Sequence, residues 1–242
     1  MNKNTIIKKY KSIIIGLVIG LIAVTTNSAL LTHKVLKYAE KKTFNKYEVY
    51  EVGDDIIKEE SFDEIITDVF DRCIPSKITK AFLDDRIKIV IADEETCEEK
   101  LRLNIDFGGI IEEALTNKPK IVIIKTASWY SWIIDRPIDE KNKQVLCHEI
   151  GHYVDYKMGT PSSTNEWKKI RDEEFYKSPI YDEHKDYEED IEYYHIEREY
   201  FAEAFNYMTF AKEFDVEQYE LLKTNCPKTF EYMQNIIDNF EE

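Results

Sequence analysis

The run Cys147-His148-Glu149-Ile150-Gly151-His152 holds two imidazoles four residues apart, with a carboxylate directly after the first. On a helix that spacing puts His148 and His152 on one face, able to offer two nitrogens to one metal ion. Glu149 lies about 100° further round the same helix, within reach of a water on that metal. Zinc lowers the pKa of a bound water, and a neighbouring carboxylate can take its proton. The alternative is a polar helix face without a metal. The chain has 5 histidines in 242 residues, so the H-E-x-x-H pattern is not easily a coincidence of composition.

A catalytic zinc needs a third protein ligand and an open position for water. The longer pattern H-E-x-x-H-x-x-G-x-x-H fails, because the residue six beyond His152 is Met158. Asp155 is on the same helix and points along it, away from the metal. The ligand must come from another element, and the acid-rich stretch 172–199, with His184 and His195, offers many candidates. Glu199 and Glu203 are four apart on a stretch whose apolar side holds Phe201, Ala204, Phe205 and Met208. Such a pair suits a ligand and a supporting carboxylate; it also suits an exposed acidic pair on an amphipathic helix.

Stepping outward, the histidine helix is expected from about 137–139, ending at Gly159-Thr160-Pro161, a Gly-then-Pro stop. Ser61-Phe62-Asp63-Glu64 has capping-box form and opens a helix carrying Ile65, Ile66, Val69 and Phe70. Short β-rich runs lie at 87–92 and 121–124. Helices follow at 165–176 and 197–210, separated by an acidic loop at 177–195, and Pro227 fits the first position of a last helix. The acidic loop reads as a solvated face, or as a cleft wall that attracts basic substrate residues. Trp129, Tyr130 and Trp132 are candidates for substrate pockets or for packing. The run 120–124 reads either as an edge strand that pairs with an extended peptide or as a core strand.

Three blocks carry a family resemblance: His148-Glu149-Ile150-Gly151-His152-Tyr153-Val154-Asp155, Glu199-Tyr200-Phe201-Ala202-Glu203-Ala204-Phe205, and Cys226-Pro227-Lys228-Thr229-Phe230. In order and spacing they resemble the catalytic domain of anthrax lethal factor and the related small secreted Pro-Pro endopeptidases. The resemblance implies a zinc site of His148, His152 and Glu199, with Glu149 as base and Glu203 supporting a zinc histidine. It also implies a transition-state tyrosine seven residues before the ligand. That position is Glu192 here, and Tyr193 and Tyr194 follow it as the candidate phenols. The implied fold is α+β, zincin-like, with a small sheet beside the active-site helix and a helical C-terminal half.

Hydrophobic content of 43% and aromatic content of 13% suffice for a packed core. The net charge of −15 disfavours nucleic acid and anionic membranes as partners. Residues 1–29 open with Lys3, Lys8, Lys9 and Lys11, followed by an apolar run at 13–24 and then Thr25, Thr26, Asn27, Ser28 and Ala29. That is the order of a secretory signal peptide. The apolar run reaches only about 18 Å as a helix against a hydrocarbon layer of ~30 Å, so an uncleaved anchor is the second reading. Residues 30–60 read as a linker or arm and 61–242 as the peptidase domain. Cys73, Cys97, Cys147 and Cys226 do not make a dense disulfide framework, although Cys73 and Cys97 could bridge in an exported protein. Cys147 is expected to be buried as a small apolar residue.

The reading is a secreted, monomeric zinc endopeptidase acting on protein or peptide substrates, and the resemblance to the Pro-Pro endopeptidases points to proline-rich ones. Two other classes fit less well. One is a noncatalytic exported module that keeps the fold, which the intact Glu149 argues against. The other is a toxin component that needs a delivery partner.

Overall fold

The structure is a computed structural model that describes residues 40–44, 47–52, 62–93, 108–113, 118–126, 138–186 and 188–241. The expected signal segment, Ser61, Cys97 and the aromatics Trp129, Tyr130 and Trp132 lie outside these residues.

The sheet has five strands: β1 (Glu40–Phe44), β2 (Tyr47–Val52), β3 (Lys88–Asp93), β4 (Gly108–Glu113) and β5 (Lys118–Thr126), in the order β1-β2-β3-β5-β4. The two ends are antiparallel pairs, β1 with β2 and β4 with β5, and the centre is parallel. Val49, Ile89 and Val122 stand side by side in the register and are fully buried in the main core. Val90 and Ile123, on the opposite face, are buried as well. A strand covered on both faces reads as a continuous apolar run, as 89–92 and 121–124 do.

One expectation changes here, and one choice that the sequence left open is decided. Two parts of the expected linker, 40–44 and 47–52, form a strand pair that belongs to the sheet. Its charged, weakly alternating sequence concealed this, because Tyr47 and Val49 find their burial only against partners distant in sequence. Strand β4 carried too little pattern to be anticipated. Strand β5 is not an edge strand: it lies between β3 and β4, and β4 is the edge.

Between β2 and β3 run α1 (Phe62–Asp68), which continues as a π turn over Val69–Cys73, and α2 (Ser76–Asp84). Then α3 (Ile138–Lys157) packs on β5. Every residue from 142 to 151 of α3 is buried. A helix buried on all sides is normally apolar throughout, so the buried polar groups of α3 need partners. Lys143 finds Asp68 at 2.7 Å. Cys147 is fully buried, as anticipated, and the free thiol of Cys73 is its neighbour rather than part of a bridge.

Helix α3 ends as expected. Gly159 adopts φ 78°, its N–H donates to the carbonyl of Tyr156 at 3.1 Å, and the N–H of Thr160 donates to that of Asp155 at 2.8 Å. This is a Schellman stop. Next come α4 (Asn165–Glu174), α5 (Pro179–His184), α6 (Glu188–Tyr194) and α7 (Glu197–Asn206); α7 runs on through a π turn, Tyr207–Ala211. The supposed acidic loop is thus mostly the two short helices α5 and α6. Ser178 caps α5 by accepting from the N–H of Tyr181 at 3.1 Å, whereas the many adjacent acids masked any helical period. Helices α8 (Val216–Asn225) and α9 (Pro227–Asp238) close the chain. At the start of α9 the buried Glu174 carboxylate accepts from the N–H groups of Lys228 and Thr229 at 3.1 and 2.8 Å. The block 226–230 is therefore a helix N-terminus that anchors α9.

Candidate active site

Helices α3 and α7 cross in contact, and Gly151 sets how closely. A Cβ on Gly151 would lie 2.9 Å from the Cα of Ala202 and 3.0 Å from its carbonyl oxygen. These are backbone atoms and cannot swing aside. Trp167 of α4 braces α7 from the other side, stacking on Tyr200 and donating its indole N–H to the carbonyl of Glu197 at 2.8 Å. The close approach brings Glu199 and Glu203 of α7 against the histidines of α3. Gly151→Ala is expected to force the helices apart and destabilise the fold by about 1–3 kcal/mol, a fall of roughly 2–12 °C in melting temperature. It should also loosen any metal bound between the helices. Unchanged melting and metal retention would refute this role.

His148 Nε2 and His152 Nε2 lie 3.4 and 3.1 Å from Glu199 Oε2. The three side chains have one donor atom each within 4.8 Å of the others, and they are the one such metal-capable group among the described residues. His148 Nδ1 lies 2.7 Å from Glu203 Oε2. An ionised carboxylate can only accept, so Nδ1 donates to Glu203, and Nε2 is the nitrogen that a metal would take by displacing its proton. Asn206 in turn donates to Glu203 Oε1 at 3.0 Å. Two imidazoles and a carboxylate, one imidazole braced by a second carboxylate, suit a metal ion. Glu149 is buried, and its Oε2 meets no hydrogen-bond partner in the protein.

Electrostatics agree with that fit. Burial opposes a charged His148, but the Glu199 and Glu203 carboxylates outweigh it and push its pKa up to about 10. Burial likewise opposes an ionised Glu203, yet the His148 ring, helped by Asn206, holds it at about 2. Glu199 is also held far below the usual carboxylate range, its burial overridden by His148 and His152. A site that holds protons on imidazole this firmly attracts any cation, and a divalent metal would compete for the same lone pairs. Burial raises the Glu149 carboxyl, with His152 and His148 pulling it partly back.

Of the two candidate phenols, Tyr193 reaches the cluster: its hydroxyl donates to Glu199 Oε2 at 2.7 Å. Burial and the Glu199 charge raise its pKa strongly, so it stays a donor at neutral pH. Tyr194 stacks on His184 with centroids 4.1 Å apart and turns its edge to the His148 ring. Glu192 is exposed on α6. The fallback ligands go elsewhere: His184 pairs with Tyr194 and Asp190, and His195 packs on Phe175 and Tyr176. Asp155 accepts from the N–H and hydroxyl of Ser162 at 2.8 and 2.7 Å and locks the turn after α3. Sequence reasoning missed two residues at this centre, Gly151 and Arg198. The small residue inside H-E-x-x-H hinted at the first; nothing local hinted at the second.

A mixed sheet flanked by a helix carrying H-E-x-x-H, with a glutamate delivered from a crossing helix, defines a zincin-like metallopeptidase domain. The chain belongs to the family described as anthrax toxin lethal factor, N- and C-terminal domain, which matches it over residues 38–236. Among solved structures, the Pro-Pro endopeptidase PPEP-2 of Paenibacillus alvei is similar. It is 20% identical, with a TM-score of 0.49 over 84% of this chain and 99% of that one. No curated protein matches the chain.

Proposed function

We propose that the protein is a zinc endopeptidase whose metal is held by His148, His152 and Glu199. The observation that carries this reading is the convergence of those three donor atoms beside a buried, unpartnered carboxylate oxygen of Glu149. Zinc, when bound, lowers the pKa of water and polarises the scissile carbonyl. Glu149 takes the proton of the attacking water and returns it to the departing amine nitrogen. Tyr193, rather than Tyr194, turns its hydroxyl to the oxygen on which negative charge develops. Glu203 holds His148 in the tautomer that leaves Nε2 free.

The test is zinc content together with cleavage of a peptide library by the mature domain, with and without a chelator. Proline-rich peptides belong in that library, because the three motif blocks resemble the Pro-Pro endopeptidases as well as lethal factor. A zinc-loaded protein that cuts nothing would favour a noncatalytic module.

From the Lys-rich start, the apolar run at 13–24 and the small residues after it, we infer a secreted protein whose mature chain begins within a few residues of Ala29. N-terminal sequencing of protein from the culture medium checks this. Full-length protein confined to membranes would establish the anchor instead.

A further inference from the structure

The Glu199 carboxylate has two oxygens with different surroundings. Oε2 lies 3.4 and 3.1 Å from Nε2 of His148 and His152 and accepts from the Tyr193 hydroxyl. Oε1 accepts from Nε of Arg198 at 3.0 Å. Arg198 is the preceding residue on α7, and its side chain is 62% exposed while that of Glu199 is 6% exposed. It therefore covers the ligand from the solvent side without belonging to the core. Its charge also reaches Glu149 and Asp155, favouring the ionised form of each.

We propose that Arg198 is a positioning residue that occupies Oε1 of Glu199, so that this carboxylate presents Oε2 alone to the metal. The inference rests on the zinc-site reading above and adds a role for a residue that touches neither metal nor substrate. A free carboxylate can bind a divalent ion through one oxygen or through both. Through both, it fills a coordination position that a catalytic site must keep for water and substrate. A charge-assisted hydrogen bond from a guanidinium is strong enough to bias that choice. It also draws electron density from the ligand and leaves the metal the stronger Lewis acid.

The experiment uses the cobalt(II) form, whose visible d–d absorption is intense in four-coordinate sites and weak in five-coordinate ones. Wild type, R198A and R198K are compared by cobalt spectrum, by zinc competition against a chelator, and by thermal melting. In R198A the freed Oε1 should turn to the metal, weakening the d–d band. Zinc affinity should change by about tenfold or more, the scale seen when a partner of a metal ligand is lost, with melting of the metal-free protein unchanged. R198K, which keeps a cationic donor, should recover most of the band. A wild-type spectrum and affinity in R198A would overturn the proposal alone. A change in R198A that tracks a lowered melting temperature and is not recovered by R198K would overturn it too, making Arg198 merely structural. Wild-type protein that takes up no cobalt would overturn the metal-site reading and this proposal with it.

Discussion

Glu149→Ala is expected to keep its metal and its fold while turnover falls by at least ~10²-fold, the usual scale for a positioned general base. The carboxylate is buried, and one of its oxygens has no hydrogen-bond partner in the protein. A buried, unsatisfied charged group costs stability, so its removal should not lower the melting temperature. Activity and stability should therefore move independently, which a packing role would not produce. The measurement is kcat on a cleaved peptide at confirmed zinc occupancy, beside a melting curve. Near-wild-type turnover in a zinc-loaded mutant would remove Glu149 from the mechanism.

The second large effect separates Glu199 from Glu203. Glu199→Ala leaves two histidines to hold the metal and takes the acceptor from Tyr193 and Arg198. Zinc affinity should fall further than in Glu203→Ala. Glu203 binds the far nitrogen of His148 and accepts from Asn206. Its loss frees the imidazole to turn, with an expected cost of about 10- to 100-fold. Chelator competition on both mutants ranks them. If Glu203→Ala proved the more damaging, the ligand would lie one helical turn further along α7.

Determinants that act within one turn of helix were legible in the sequence. The H-E-x-x-H face, the Gly159-Thr160 stop and the Pro227 start depend on neighbours a few residues apart, and the backbone geometry of a helix does the rest. Strands β3 and β5 were legible because strands covered on both faces have apolar centres, here Ile89–Ala92 and Ile121–Ile124. By residue spacing alone, Glu199 and Glu203 could have been a solvated pair; it was the family resemblance that separated their roles. Only the tertiary structure decided the rest, because it concerns which surfaces meet. Residues 47–52 became part of the sheet by pairing with β3, more than 35 residues away in sequence, and 40–44 joined it by pairing with them. Residues 121–124 became interior because β4, weakly patterned, covers their outer side. The choice between Tyr193 and Tyr194 depends on how α6 is rotated against α7, which neighbouring phenols cannot encode by type. Gly151 matters through a contact with Ala202 across the helix crossing, and Arg198 through one oxygen of Glu199. The chemistry was local enough to be seen in the chain. The distances that make it usable came from close packing between elements remote in sequence.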